Sequence, residues 1–351
     1  MSTPPHPTPP SPRFDLRRPL GEAGSPLPEP TEVSAVRQLL NQSSTGGAVD
    51  VVFKGLVLCA ALSILAVVAL VVTELVTESR LSIKEFGWKF FTSTDWDPVQ
   101  GLFGALPFIY GTIVSSLLAL MMAVPLGVGV AMFMTEICPR PLRGFLAFFV
   151  ELLAAIPSVV YGLWGIFVLA PLMRTHVQPW MKTTLGWTGF FEGPPYGIGM
   201  ITAGVILAIM IVPFVSSITR EMMLAVPQTQ REAVLALGST RWEMIRIGIL
   251  RNARAGIFGG IILALGRALG ETMAVTMLIG NRPEIAKSLL APGYTMASVI
   301  ANEFTEATED LYLSALVEVG LALFLVTIIV NAIAQIFIWS ITRGHRGGAH
   351  A

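Results

Sequence analysis

Six long apolar runs, each almost free of charged side chains, constrain this chain more than any other feature of its sequence. They cover residues 55–73, 99–135, 144–173, 193–219, 255–281 and 319–342. A helix needs about 20 apolar residues to cross a bilayer. The strict alternation of a membrane barrel is absent, and helices satisfy their own backbone hydrogen bonds in lipid. The runs therefore predict an all-α membrane protein with six transmembrane helices, in which residues 101–109 either cross or lie at the interface.

Composition agrees with a membrane protein and excludes several soluble classes. Apolar residues make up 53% of the chain and charged residues 13%, whereas a soluble domain carries about 25% charged residues. The 23 basic and 23 acidic residues balance, so the chain has no basic surface for nucleic acid. A soluble enzyme, a disordered scaffold and a nucleic-acid-binding domain are excluded on these grounds.

The distribution of Lys and Arg predicts the orientation of the chain in its membrane. With the N-terminus in the cytoplasm, the cytoplasmic segments hold 15 basic residues and the outer segments hold 7. This bias favours cytoplasmic termini and a cytoplasmic loop between the fourth and fifth runs. Ten of the 24 prolines lie within the first 30 residues, so residues 1–50 are predicted to be a disordered Pro-rich cytoplasmic tail. Residues 343–351 are predicted to form a C-terminal cytoplasmic tail.

No motif in the chain supplies a catalytic centre or an energy source. The pattern G-x-x-x-x-G-K-[ST] of a phosphate-binding loop is absent, as are H-E-x-x-H and C-x-x-C. Cys59 and Cys138 lie far apart in apolar surroundings, so they predict neither a disulfide framework nor a metal site. If ATP drives this protein, we expect the ATPase to be another chain.

The loop between the fourth and fifth runs has the pattern of a short helix. Thr229 and Glu232 have capping-box spacing, which predicts a helix from near Gln230, and Gly238 is a natural stop. A second capping box at Thr240 and Glu243 predicts another helix that leads into the fifth run. Such a helix suits docking into a groove on a partner, while an ordinary interfacial loop helix is the alternative.

Two ionisable residues inside the fifth run are the strongest candidates for a substrate path. Arg267 and Glu271 are spaced i, i+4, which predicts one shared helix face. A guanidinium presents a planar fork of donors to a phosphate or sulfate oxyanion, and the carboxylate would moderate its hold. The alternative is an internal ion pair that only fixes helix packing. The pairs Gly256/Gly260 and Gly266/Gly270 predict close packing against neighbouring helices.

Two further features have a functional and a structural interpretation. Glu151, near the cytoplasmic end of the third run, is either a carboxylate that reaches toward the interface or a possible gate. The outer segment 281–314 carries a net charge of −3. That charge fits delivery of an anion by a binding protein, or it belongs to an ordinary solvated surface.

The motifs resemble those of one transporter family. Glu232-Ala233-Val234, followed after three residues by Gly238, resembles the EAA loop of ABC-importer permeases. Val234 replaces the second Ala of that pattern, while Gly248 and Arg251 replace the Ile and Pro of its downstream part. The segment 266–281, G-R-A-L-G-E-T-M-A-V-T-M-L-I-G-N, is similar to a signature of the membrane subunits of phosphate ABC importers. Segments 103–111, 151–162 and 291–304 fit the same family, so the resemblance covers roughly residues 50–342.

The resemblance implies a location in the bacterial plasma (inner) membrane, a fold, a cargo and a set of partners. The fold would be that of a type I ABC-importer permease (MetI-like), with a first transmembrane helix at 51–74, a core at 102–342 and a coupling loop at 220–254. Glu232, Ala233 and Gly238 would contact the ATPase and form a hinge, and Arg267 and Glu271 would line the phosphate path.

The implied partners are a second permease, an ATPase dimer that uses ATP and Mg, and a periplasmic phosphate-binding protein, with no cofactor bound by this chain. Three alternatives remain. They are a permease for another oxyanion such as sulfate or molybdate, a secondary transporter or channel, for which no inverted repeat or broken-helix pair is detectable, and a membrane enzyme.

Overall fold

The computed structural model describes residues 47–343 of the 351. The predicted tails at 1–50 and 343–351 lie almost entirely outside the described residues. Within the described part, six helices are long and apolar enough to cross a membrane, which confirms the fold class. We call them spans one to six: Asp50–Glu78, Leu106–Ile137, Ser158–Thr188, Met200–Leu224, Arg241–Leu269 and Asp310–Trp339.

Shorter helices connect the spans. They are Arg80–Phe86, Lys89–Thr92, Arg140–Ala155, Gln228–Ala236, Met273–Ile279 and Met296–Glu303. The residues up to Val67 form one unit, which in the described part is the start of the helix Gly47–Glu78. Its side chains from Asp50 to Val67 are all exposed, as expected for a helix that is apolar on every side and lies in lipid. The other helices belong to the second unit.

The third apolar run does not form one helix. The helix Arg140–Ala155 ends before Pro157, and span three begins at Ser158. Pro157 has extended backbone angles (φ −58°, ψ 142°), and a proline has no N–H to continue a helical ladder. The third run, predicted as one span over 144–173, was therefore placed too early. Span two likewise starts at Leu106, after an isolated antiparallel bridge between Asp97 and Leu102.

Span four forms the centre of the second unit. Most of its side chains are buried, and it packs against spans two and five. A Cβ at Gly260 of span five would lie 2.6 Å from Cγ2 of Ile218, and a Cβ at Gly256 would overlap Met222. The predicted close packing of the Gly256/Gly260 pair is confirmed. For Gly266 and Gly270 it stays a prediction, since the atoms of this chain nearest to their Cβ positions lie 3.9 and 3.7 Å away.

The loop helix, Gln228–Ala236, lies beside the ends of spans two and four and the start of span five. We call this end of the molecule the loop face and the other end the opposite face. Spans two and five each contain a π-helical segment at the loop face, at Phe133–Ile137 and Met244–Leu250. Such segments are frequent at functional sites.

A carboxylate organises the opposite face. Glu303 accepts hydrogen bonds from Trp96 Nε1 at 2.8 Å, from the Tyr294 hydroxyl at 3.2 Å and from the Tyr312 hydroxyl at 2.7 Å. Burial raises the pKa of Tyr294, which keeps its hydroxyl protonated as a donor. Glu303 was predicted to contribute to an exposed acidic field or a solvated surface. It instead connects Trp96, which lies 207 positions away in sequence, with the nearby hydroxyls of Tyr294 and Tyr312.

Backbone carbonyls cap the first turn of span four. The N–H of Gly199 donates to the carbonyl of Leu278 at 2.9 Å, and the N–H of Met200 donates to that of Ala291 at 3.1 Å. The N–H of Ile201 donates to a further carbonyl of the same segment at 2.9 Å. A helix leaves its first four N–H groups without intrahelical partners. Here the chain that follows span five supplies acceptors for them.

Candidate functional site

Span five breaks where the sequence carries its two ionisable residues. The helix that starts at Arg241 ends at Leu269, and a short helix begins again at Met273. Gly270 terminates the first part with φ −94° and ψ 0°. Glu271 therefore lies in the break, and the prediction that Arg267 and Glu271 share one face of a continuous helix is wrong. Glycine disfavours a helix interior by about 1 kcal/mol relative to alanine, which is a local reason for the stop.

Arg267 and Glu271 are not joined to each other. The ion pairs within the described residues are Arg231–Glu136 and Arg282–Glu284, so the alternative of an internal Arg267–Glu271 pair is not supported. Arg267 is exposed in this chain and Glu271 is half-buried. Arg267 lies in the last turn of its helix, where the partial negative charge of the helix end favours a cation. Both groups thus remain available to something outside this chain.

The half-helix Met273–Ile279 is held against span three. A Cβ at Gly162 would lie 2.5 Å from Sδ of Met277 and 3.3 Å from Cα of Ala274. Gly165 similarly faces Leu278. The break is therefore fixed on one side by tight packing of span three.

The loop helix departs from the sequence prediction at its start and agrees at its end. It begins at Gln228 directly after Pro227, and no side chain caps it, so the predicted Thr229–Glu232 capping box is wrong. Gly238 has φ +82°, as expected for a glycine that stops a helix. The second predicted capping box is confirmed. Thr240 Oγ1 accepts from the Glu243 N–H at 3.3 Å, and Glu243 Oε2 accepts from the Thr240 N–H at 2.8 Å.

The loop helix has an inner and an outer side. Glu232 and Ala233 are exposed, and so are the large apolar side chains Leu235 and Leu237, the latter 88% exposed. Val234, in contrast, is half-buried against Gly248 of span five, where a Cβ would lie 3.4 Å from Cγ2 of the valine. The outer side is therefore free to contact a partner, while the inner side packs on the protein.

An ion pair attaches the loop helix to the ends of two spans. Arg231 Nη1 donates to Glu136 Oε1 at 2.7 Å, and Arg231 Nη2 donates to the carbonyl of Met223 at 2.7 Å. Gln230 Oε1 accepts from Asn252 Nδ2 at 2.9 Å, which adds a link to span five. Sequence reasoning missed this arrangement. Its only signal was that Glu136 is the first charged residue after the second apolar run.

Glu151 lies in the helix Arg140–Ala155 rather than in a spanning helix, and it is exposed. Its predicted position near the end of span three is wrong, because Pro157 separates the two helices. The gate role stays a prediction.

Span six contains a buried carboxylate that the sequence prediction passed over. Glu318 is 1% exposed, lies beside Ser82, and its Oε2 atom has no hydrogen-bond partner in the described part of the chain. The sixth apolar run begins at Val319, immediately after this residue, because a charged residue ends an uncharged run. Among the residues described, no group of three or more His, Cys, Asp or Glu side chains is arranged to hold a metal ion.

A comparison with protein families decides the class of this molecule. The model for the binding-protein-dependent transport system inner membrane component matches residues 123–343. This chain belongs to that family. The match covers spans three to six, the loop helix and the break in span five, so both parts of the candidate site lie within it. The chain is accordingly a multi-pass membrane permease of the ABC-transporter class.

Curated relatives match most of the chain. A protein of Mesorhizobium japonicum named phosphate transport system permease protein PstC is 49% identical over 290 residues, 82% of this chain and 89% of the relative. A protein of the same name from Xylella fastidiosa is 45% identical over 298 residues, 84% of this chain and 92% of the relative. The family resemblance inferred from the motifs is confirmed.

A solved structure shows the fold. A bacterial ABC transporter involved in the import of the acidic polysaccharide alginate has a chain that matches with a TM-score of 0.52 at 16% identity. The match covers 79% of this chain and 95% of that chain. The predicted type I ABC-importer permease fold is confirmed. Span five is broken, which the sequence did not reveal. Because the chain belongs to the permease family, this break does not make it a secondary transporter.

Proposed function

We propose that this chain is the permease subunit of an ATP-driven importer of inorganic phosphate and forms half of the translocation path. The observation that carries the cargo is 49% identity over 82% of the chain with a relative named phosphate transport system permease protein PstC. The matched segments include the broken span with its exposed guanidinium. No specific observation favours sulfate or molybdate over phosphate.

Arg267 and Glu271 are the proposed contacts for the anion. Arg267 is exposed at a helix end inside the membrane region, and Glu271 lies half-buried in the adjacent break. A charge at the centre of a membrane helix costs about 2.5–3.5 kcal/mol on insertion scales, so such a residue faces protein or water. The guanidinium would hold the oxyanion through paired hydrogen bonds. The carboxylate would weaken that hold, and it would accept a hydrogen bond from a protonated phosphate.

The loop helix is the proposed contact with an ATPase. Glu232 and Ala233 lie on its outer side, and Gly238 forms the turn that follows. The partners would be a PstA-like second permease, a PstB-like ATPase dimer that binds ATP and Mg, and a PstS-like periplasmic binding protein. This chain itself would bind no cofactor. The loop face and both termini would be cytoplasmic, in agreement with the bias of Lys and Arg.

The test is phosphate uptake into proteoliposomes that contain the complete set of partners, with and without ATP, and with excess sulfate as competitor. We expect ATP-dependent, sulfate-resistant uptake. Arg267→Ala and Glu271→Gln should lower uptake at least about tenfold, the scale of one lost charge-assisted contact of about 1.5–3 kcal/mol. Glu232→Ala should lower uptake together with the stimulation of ATP hydrolysis.

Different failures separate the parts of this proposal. Uptake without ATP would replace the importer with a secondary carrier. Uptake abolished by sulfate would change the cargo to another oxyanion. Normal uptake in both Arg267→Ala and Glu271→Gln would remove those residues from the path and leave the cargo assignment intact.

A further inference from the structure

Arg231 joins three separate elements through a single guanidinium. Its own backbone belongs to the loop helix, Nη1 contacts Glu136 in the π-helical end of span two, and Nη2 contacts the Met223 carbonyl near the end of span four. Both distances are 2.7 Å. The Arg231 and Glu136 side chains are 14% and 9% exposed, and Met223 is fully buried. We call this arrangement the Arg231 clasp.

The chemistry of the clasp requires arginine. A guanidinium holds its donors in a fixed planar fork, so two acceptors on different elements are kept at a defined separation. A lysine ammonium is a compact charge on a flexible stem and does not impose that geometry. Because the pair is largely removed from water, screening by salt is weak. Removal of one partner would leave the other charge buried and unpaired.

The position of the clasp separates it from the outer side of the loop helix. Glu232 and Ala233, the next two residues, are exposed. Arg231 instead lies on the inner side, where Val234 also packs. The link from Gln230 to Asn252 reaches span five, whereas the clasp reaches spans two and four. The clasp therefore connects the loop helix to spans two and four.

We propose that Arg231 and Glu136 are positioning residues for transport. They pass movement of the loop helix to the ends of spans two and four at the loop face. The proposal rests on the proposed function, in which an ATPase contacts the loop helix, and it adds that ATP binding and hydrolysis displace that helix. Without the clasp, the ATPase would still dock on the outer side and hydrolyse ATP. The spans would follow that movement poorly, so fewer phosphate ions would be carried for each ATP consumed.

The experiment measures three quantities for the complete importer in proteoliposomes. They are the amount of assembled complex, the rate of ATP hydrolysis per complex, and the number of phosphate ions transported per ATP. The variants are Arg231→Lys, Arg231→Gln, Glu136→Gln and the double variant Arg231→Gln/Glu136→Gln. Arg246→Gln is the matched control, because Arg246 belongs to the same cytoplasmic segment and is exposed.

We expect Arg231→Lys and Glu136→Gln to assemble and to hydrolyse ATP, with phosphate per ATP reduced about fivefold or more, the lower end of typical coupling effects. The double variant should be no worse than the poorer single variant, because the two residues act as one unit. Arg246→Gln should keep the wild-type ratio. A merely structural role would lower the amount of complex and leave phosphate per ATP unchanged.

Two outcomes would contradict the proposal. A wild-type ratio in Arg231→Lys and Glu136→Gln overturns it, and so do losses that simply add in the double variant. If Arg231→Gln fails to assemble, the lysine variant and Glu136→Gln still decide. Wild-type complex that hydrolyses ATP without phosphate uptake would reject the proposed function itself, whereas normal wild-type uptake with unchanged variants rejects only the clasp.

Discussion

Val234 and Gly248 illustrate how one departure from the family pattern compensates for another. The EAA pattern has Ala at the position of Val234 and Ile at the position of Gly248. This chain therefore has the larger residue on the loop helix and the smaller one on span five. The structure places them in contact, with 3.4 Å between Cγ2 of Val234 and a Cβ at Gly248. The sequence identified both substitutions but not their contact, because 14 positions separate them along the chain.

Restoring one family residue alone should therefore be harmful. We expect Gly248→Ile to lower the free energy of unfolding by about 1–3 kcal/mol, because the extra carbons meet Val234 in a packed interface. The double variant Val234→Ala/Gly248→Ile should recover most of the loss. Thermal unfolding of the purified protein measures both. Gly248→Ala is the control and should be tolerated, and equal losses in the single and double variants would contradict the compensation.

Glu303 is a second residue whose role depends on contacts made across the chain. It accepts three hydrogen bonds from Trp96, Tyr294 and Tyr312. We expect Glu303→Ala to destabilise the protein by about 1–3 kcal/mol for each donor that remains buried and unpaired. Glu306→Ala provides the comparison, since Glu306 is exposed. Thermal unfolding of the two variants would refute this role if their midpoints fell equally.

At the scale of elements, hydropathy predicted the number of spans but not where helices stop. The six runs became six spans because a long uncharged stretch has few other structures in lipid. Hydropathy does not reveal the breaks at Pro157 and Gly270, since both lie inside apolar sequence and the average runs across them. Gly238 and the Thr240–Glu243 box were predicted correctly because their signals are local. The Arg231–Glu136 pair joins residues 95 positions apart, which no local signal reveals.

Span five also allows a controlled test of helix packing. Gly259 and Gly260 are adjacent, but a Cβ at Gly260 would lie 2.6 Å from Ile218, while nothing lies within 4 Å of one at Gly259. We expect Gly260→Val to force spans four and five apart and to lower stability by about 1–3 kcal/mol. Gly259→Val changes helix propensity by the same amount without the clash. Similar unfolding midpoints for the two variants would show that spans four and five do not pack here as described.

At the scale of the whole molecule, the orientation in the membrane is the broadest prediction. Leu237 in the loop after the loop helix is 88% exposed, and Trp187 at the end of span three is 85% exposed. In a background with Cys59 and Cys138 replaced, we expect an impermeant maleimide to label Trp187→Cys in spheroplasts. Leu237→Cys should react only in inverted vesicles. Labelling in detergent controls for reactivity, and the reverse pattern would place the loop face outside the cytoplasm.

The carbonyl contacts at the start of span four make that region sensitive to the length of the segment that connects them. Gly199 and Met200 donate to carbonyls of Leu278 and Ala291, and Gly293 donates to the carbonyl of Ile279. Main-chain atoms form each of these bonds, so many side-chain replacements in the connecting segment would leave them in place. A deletion or insertion of one residue there would shift the pairings together. Functional homologues should therefore vary in composition along residues 282–287 of this connection while they conserve its number of residues.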